Sequence, residues 1–298
     1  MHIAVYGRKF GKQFIPFAEK LFERLRHSNI KISIYRPFYE FMRNRAGMDP
    51  LTGNLFNSHE DIDKNIDYVF SIGGDGTILE TITIVRDSGI PVLGINSGRL
   101  GFLANISRED IDLAIDALVS GNYSTEKRSL LELSSPSDFF GDFRYALNEF
   151  TLQKKDSAMI TIQAWLNDRF LNSYWADGLI VSTPTGSTAY SLSVGGPLLT
   201  TETKGFVISP IAPHNLTVRP IVIPDSNIIR MKVHSRNGEF LLSMDYRSTL
   251  VPVEKEIILK RSEFDISLIR LNNQDFFTTL RNKLMWGLDK RNMEDTLS

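Results

Sequence analysis

The stretch 67–87, DYVFSIGGDGTILETITIVRD, constrains the fold more than any other. An apolar, strand-like run stops at two glycines, and a helix-like run follows at once. A buried strand that turns through glycine into a helix is half of a parallel crossover unit. The same order recurs nearby. Ile3–Tyr6 and Ile32–Tyr35 read as short strands, and between them Phe14, Ala18, Leu21, Phe22 and Leu25 fall at helical spacing. Ile90–Asn96 supplies the next strand. Short links between such elements predict an α/β domain with a doubly wound parallel sheet, whose ligands bind beyond the carboxyl ends of the strands. Asp75 stands at such an end.

The texture changes near residue 125. MITIQAWL, LIVST, FVISPI and IIRMKV are among many short β-rich runs separated by turn residues, with no long amphipathic helix between them. They predict a second, mostly β, sandwich-like domain over 126–269, beside the α/β domain of 1–125. Phe276, Leu280, Leu284 and Leu288 then predict a C-terminal helix. It returns to the first domain, so that 270–298 joins 1–125. The 298 residues are enough for two such cores.

A net charge of −1 gives no electrostatic case for nucleic acid or an anionic membrane as partner. Without cysteine there is no disulfide framework, thiolate metal site or cysteine nucleophile. No apolar run approaches the roughly 18 residues of a membrane span, and the first residues do not read as a signal peptide. A cytoplasmic protein is the expectation.

Glycines ahead of a helix N-terminus make a phosphate cradle. Neither generic motif fits, however. Leu79 stands where a dinucleotide fingerprint needs its third glycine, and Gly7–Gln13 is one spacer short of a P-loop. Asp75 would repel a phosphate unless it holds a metal or takes a proton from a substrate hydroxyl, and both roles belong to phosphoryl transfer. The plain alternative is an ordinary Asp-Gly turn. A second segment, Trp175–Pro197, interleaves Ser, Thr and Gly around Asp177; it reads as poor core material and as a wrapping for a polar ligand, or else as a surface loop. Asn148 and Glu149 are adjacent in a strand-like run and could hold ribose hydroxyls or an adenine edge.

Gly73-Gly74-Asp75-Gly76-Thr77, Asn148-Glu149 and Thr183–Pro197 together resemble the NAD kinase family, as do Gly94–Leu103 and Ser209–Pro224. The resemblance implies ATP-dependent phosphorylation of the 2′-hydroxyl of the adenosine ribose of NAD, giving NADP. It makes Asp75 the general base and sets Gly76, Asn148 and Glu149 against the adenosine of NAD. It puts Asp177 at the nicotinamide end, wraps the dinucleotide with Thr188, Ala189, Tyr190, Ser191, Leu192 and Ser193, and lays Gly73, Gly74 and Thr77 along the ATP phosphates. A divalent cation such as Mg²⁺, a site in the crevice between the domains, and a homodimer or homotetramer complete the implication. Trp175 departs from the pattern, standing where some members have arginine, and so do Tyr246 and Arg247. Two other readings use the same turn: a kinase of another small hydroxyl substrate such as a lipid, and a dinucleotide sensor without catalysis.

The remaining candidates read blandly. His214 is expected to be structural rather than a phosphate ligand. Phe276, Phe277 and Trp286 are expected to contact a core, and Lys154–Asp156 and Asp289–Arg291 to be solvated. No paired histidines suggest a metal set, and no G-x-S-x-G elbow suggests a hydrolase.

Overall fold

The computed structural model describes residues 1–287 apart from 51, 52, 64, 99, 100, 273 and 274. The chain divides into two compact units, Met1–Glu126 with Ser267–Ser298, and Lys127–Ile266.

The first unit runs β1 (His2–Gly7), α1 (Ile15–His27), β2 (Lys31–Tyr35), α2 (Arg36–Phe41), β3 (Asn54–Phe56), β4 (Tyr68–Gly73), α3 (Asp75–Val85), β5 (Val92–Asn96) and α4 (Ile111–Ser120). Its strands are parallel in the order β3-β2-β1-β4-β5. The chain builds outward from β1, then returns to lay β4 on the other side of it. The carboxyl ends of β1 and β4 therefore flank the topological switch point, where open α/β sheets bind ligands. α1 buries Ala18, Leu21, Phe22 and Leu25, the stripe read from the sequence. Each large side chain so buried stabilises the unit by roughly 1.5–3 kcal/mol. The sequence reading did not include α2, β3 or α4, although Ile111, Ala114, Ile115 and Leu118 repeat at helical spacing and are buried.

The strand β6 (Tyr123–Ser135) leads into the second unit. There follow β7 (Tyr145–Ala146), β8 (Glu149–Gln153), β9 (Ile160–Leu166), β10 (Arg169–Ala176), β11 (Gly178–Ser182), α5 (Tyr190–Ser193), β12 (Gly205–Ile211), β13 (Ile221–Pro224), β14 (Ile229–His234), β15 (Glu239–Met244), β16 (Arg247–Pro252) and β17 (Ile257–Leu271). Six strands form an antiparallel sheet in the order β13-β12-β11-β8-β15-β16, and β10, β9, β14 and β17 form a second antiparallel set. One apolar cluster takes Phe150, Leu179 and Phe240 from the first sheet and Ile162, Met231 and Leu259 from the other, the arrangement of a sandwich.

The end of β17 pairs with β5 in the first unit, Leu268 opposite Val92. The helix α6 (Phe276–Leu284) follows and buries Leu280. Leu288 and the run Asp289–Arg291 lie outside the described residues.

Candidate active site

At the end of β4 the chain turns through Gly73 and Gly74 into α3, whose first residue is Asp75. A Cβ on Gly73 would overlap Thr77 Oγ1, so packing alone forces that glycine, whereas Gly74 and Gly76 face open space. The first turn of α3 has no side-chain cap; Thr77 N–H donates to Gly74 O at 2.9 Å, and among the described residues the N–H groups of Asp75 and Gly76 are left for a ligand or water. Asp75 is gripped by the loop after β5. Its Oδ2 accepts the N–H of Phe102 at 2.8 Å, and Oδ1 accepts those of Leu103 at 3.0 Å and Ala104 at 2.9 Å. A Cβ on Gly101 would overlap Oδ1, so only glycine lets that backbone close over the carboxylate. A carboxylate offers about four acceptor positions. Among the described residues three are used here, and the one left is on Oδ2. Beside this turn, Arg8 at the end of β1 makes a two-point ion pair with Glu80 of α3, and Tyr6 OH donates to the same carboxylate at 3.1 Å. Burial and the Glu80 charge push the Tyr6 hydroxyl well above the usual phenol range.

The second unit repeats the device with a partly buried aspartate. β15 and β16 are joined by Asp245 and Tyr246, and Asp245 takes φ +52°, a conformation that Asp tolerates better than most residues. Its Oδ2 accepts the N–H of Leu147 at 2.9 Å, and Oδ1 those of Asn148 at 2.8 Å and Glu149 at 3.2 Å. Burial raises the Asp245 carboxyl to about 6, against the lowering effect of those three bonds. Glu149 is buried beside it, with Oε2 unpartnered, and burial followed by the Asp245 charge raises it to about 8. Asp245 ionises first, so its charge opposes the ionisation of Glu149.

Trp175–Pro197 differs from its sequence reading. Ser182, Thr183, Ser187 and Ser191 are fully buried. Thr183 Oγ1 donates to Leu147 O at 2.5 Å, Ser187 Oγ to Pro184 O at 2.7 Å, and Ser191 Oγ pairs with Ser209 Oγ at 3.1 Å. Small hydroxyls make good core when backbone carbonyls satisfy them. Thr183, whose N–H also donates to Asn148 O at 2.9 Å, ties the stretch to Leu147–Asn148, and a Cβ on Gly186 would overlap Asn148 O. Thr188, Ala189 and Leu192 are partly accessible, and Tyr190 and Ser193 are exposed. Asp177 pairs with Lys154 at 2.7 Å, so Lys154 is not merely solvated. Trp175, half exposed, stacks on the exposed His214 ring with centroids 4.2 Å apart. That histidine lies at the surface, and its backbone N–H donates to Trp175 O at 2.9 Å.

The ATP-NAD kinase N-terminal domain model matches residues 11–123 and the ATP-NAD kinase C-terminal domain model residues 147–271. The NAD kinases of Cytophaga hutchinsonii and Flavobacterium psychrophilum are 45% and 46% identical to this chain, each over 98% of it and 100% of the relative. The chain belongs to the NAD kinase family. Yeast NADH kinase complexed with NADH shares the fold, with a TM-score of 0.84 at 22% identity over 97% of this chain and 89% of that one. An NAD kinase from Archaeoglobus fulgidus in complex with ATP gives 0.73 at 25% identity over 96% and 99%.

Within this NAD kinase family member the predicted residues fall into two groups. Gly73, Gly74, Asp75, Gly76 and Thr77 cluster at the switch point of the first unit, with Thr77 buried. Asn148, Glu149 and the start of the Thr183 stretch are tied together in the second. Sequence reasoning missed the grip of residues 102–104 on Asp75 and of Asp245 on 147–149. It also missed Lys283 of α6, whose Nζ lies 3.7 Å from Asp75 Oδ2. Two aromatics differ from expectation as well: Phe277 and Trp286 are exposed, and only Phe276 packs inward, on Phe102.

Proposed function

We propose that this chain transfers the γ-phosphoryl group of ATP to the 2′-hydroxyl of the adenosine ribose of NAD, giving NADP and ADP. One observation carries the assignment of roles: a carboxylate at the switch point, held by three N–H groups, keeps a single acceptor position on Oδ2 among the described residues. A donor in that position is a hydroxyl to be oriented. The O2′–P bond forms as the bond from Pγ to the bridging oxygen of ADP breaks, and the hydroxyl proton passes to Asp75. A loose transition state needs little activation of the nucleophile, so orientation with late proton acceptance suffices.

The uncapped turn of α3, with open space before Gly74 and Gly76, suits the ATP phosphates against Gly73, Gly74 and Thr77. Asn148 and Glu149 would meet the adenosine; the unpartnered Oε2 of Glu149 is a hydrogen-bonding group lacking a partner. Thr188–Ser193 would run along the dinucleotide through backbone and exposed side chains, Ser191 contributing backbone alone. Asp177 would meet the nicotinamide end. The divalent cation, Mg²⁺ by preference, travels with ATP: among the described residues no group of three or more His, Asp or Glu could hold one, as suits an ion bound mainly through substrate phosphates. It supplies neutralisation of phosphate charge.

A cytoplasmic homo-oligomer completes the reading. Among the described residues no helix is long and apolar enough to cross a membrane. The edge strand β13 exposes Ile221 and Val222, apolar surface suited to a second copy. The lipid-kinase and sensor readings gain nothing from these observations. Purified protein with NAD, ATP and Mg²⁺ should form NADP, read through an NADP-specific dehydrogenase. Asp75→Asn should keep NAD binding and lose turnover by orders of magnitude; an unchanged rate would refute the role.

A further inference from the structure

A phosphate cradle with a carboxylate at its mouth repels the polyanion that it is meant to hold, and P-loop enzymes answer phosphate charge with a lysine in the glycine loop itself. Gly73–Thr77 supplies no such residue, and Gly7–Gln13, which holds Lys9 and Lys12, follows β1 rather than β4. Lys283 stands there instead. Its Nζ is 3.7 Å from Asp75 Oδ2 and 4.6 Å from the centroid of the Phe102 ring, the residue whose N–H holds the same oxygen. The distance is that of an ion pair and exceeds a hydrogen bond, so the charge is offset while the last acceptor position of Oδ2 stays open. The helix is built to hold the lysine there. Asp275 caps it through the N–H of Thr278 at 2.8 Å, Phe276 packs on Phe102, and Leu280, one turn before Lys283 on the same face, is 3% exposed. Arg281 is turned elsewhere and bonds Thr278 Oγ1 at 2.9 Å.

We propose that Lys283 is a positioning residue for phosphoryl transfer, the counter-charge that lets Asp75 stand beside ATP, acting through Asp75 rather than on the phosphates. The inference rests on the reading of Asp75 given above.

The test uses the full chain with Lys283→Met, Lys283→Arg and Arg281→Met, each also combined with Asp75→Asn. Steady-state constants are measured where Asp75 is intact, and binding of a non-hydrolysable ATP analogue with Mg²⁺ in every variant. Lys283→Met should raise the KM for ATP about two- to fivefold, as expected of a partly exposed pair, and leave the KM for NAD unchanged. Lys283→Arg should restore most of the loss, and Arg281→Met should match the parent chain. In the Asp75→Asn background Lys283→Met should cost little further analogue affinity. An unchanged KM for ATP in Lys283→Met overturns the inference, and so does an equal affinity loss in both backgrounds. Turnover in Asp75→Asn alone decides the underlying reading separately.

Discussion

Gly101 and Glu149 show how much of the chemistry rests on single atoms. Any side chain on Gly101 would occupy the place of Asp75 Oδ1. Gly101→Ala is therefore expected to displace the carboxylate and lower kcat/KM about 100-fold, the scale for an ångström of misplacement. The melting temperature should move by only a few degrees; a wild-type kcat/KM would show that the grip on Asp75 is dispensable. Glu149 and Asp245 carry a different prediction. Their carboxyls are raised to about 8 and about 6 in the fold, so between about pH 4 and pH 8 this pair holds more protons in the folded chain than in the unfolded one. The pair's contribution to stability is greatest at the acid end of that window and falls as pH rises through it. Glu149→Gln should flatten the fall between pH 6 and pH 8, read from melting temperature against pH. An undiminished slope would place its origin elsewhere.

At the scale of elements, the strongest dependence on remote chain is that of α6. Leu280 is its one fully buried side chain among the described residues. Leu280→Ala should cost about 2–3 kcal/mol, speed hydrogen exchange across Phe276–Leu284, and raise the KM for ATP in the same direction as loss of Lys283. Faster exchange with an unchanged KM would separate the helix from the chemistry. Elements with a clean apolar period were legible: β1, α1, β2, β4, α3 and β5 each match a run read from the sequence. α4 carried a legible stripe too. The inward turn of Ser187 and Ser191 was not legible, because a hydroxyl looks alike in sequence whether it meets water, ligand or a buried carbonyl.

At the scale of the molecule, the two units differ in how the chain builds them. The second is one continuous segment, Lys127–Ile266, with its own apolar cluster, whereas the first needs Ser267–Ser298 as well as Met1–Glu126. A 127–266 fragment should therefore melt cooperatively with β-type circular dichroism, while a 1–126 fragment, lacking the β17 end that pairs with β5, should not. Non-cooperative melting of the 127–266 fragment would show that its core is insufficient alone.

The sequence by itself determined the parallel α/β domain, the β sandwich, the family and the glycine turn with its carboxylate, because periodicity, glycine placement and short motifs are local properties of a chain. Only the tertiary structure decided which donors hold Asp75, which backbone Asp245 fixes, and that a lysine 208 positions further on stands beside the carboxylate. Those contacts join residues across loops and turns of unrelated pattern. Their selection rests on which groups burial brings within hydrogen-bonding or ion-pair distance, and no local pattern encodes that.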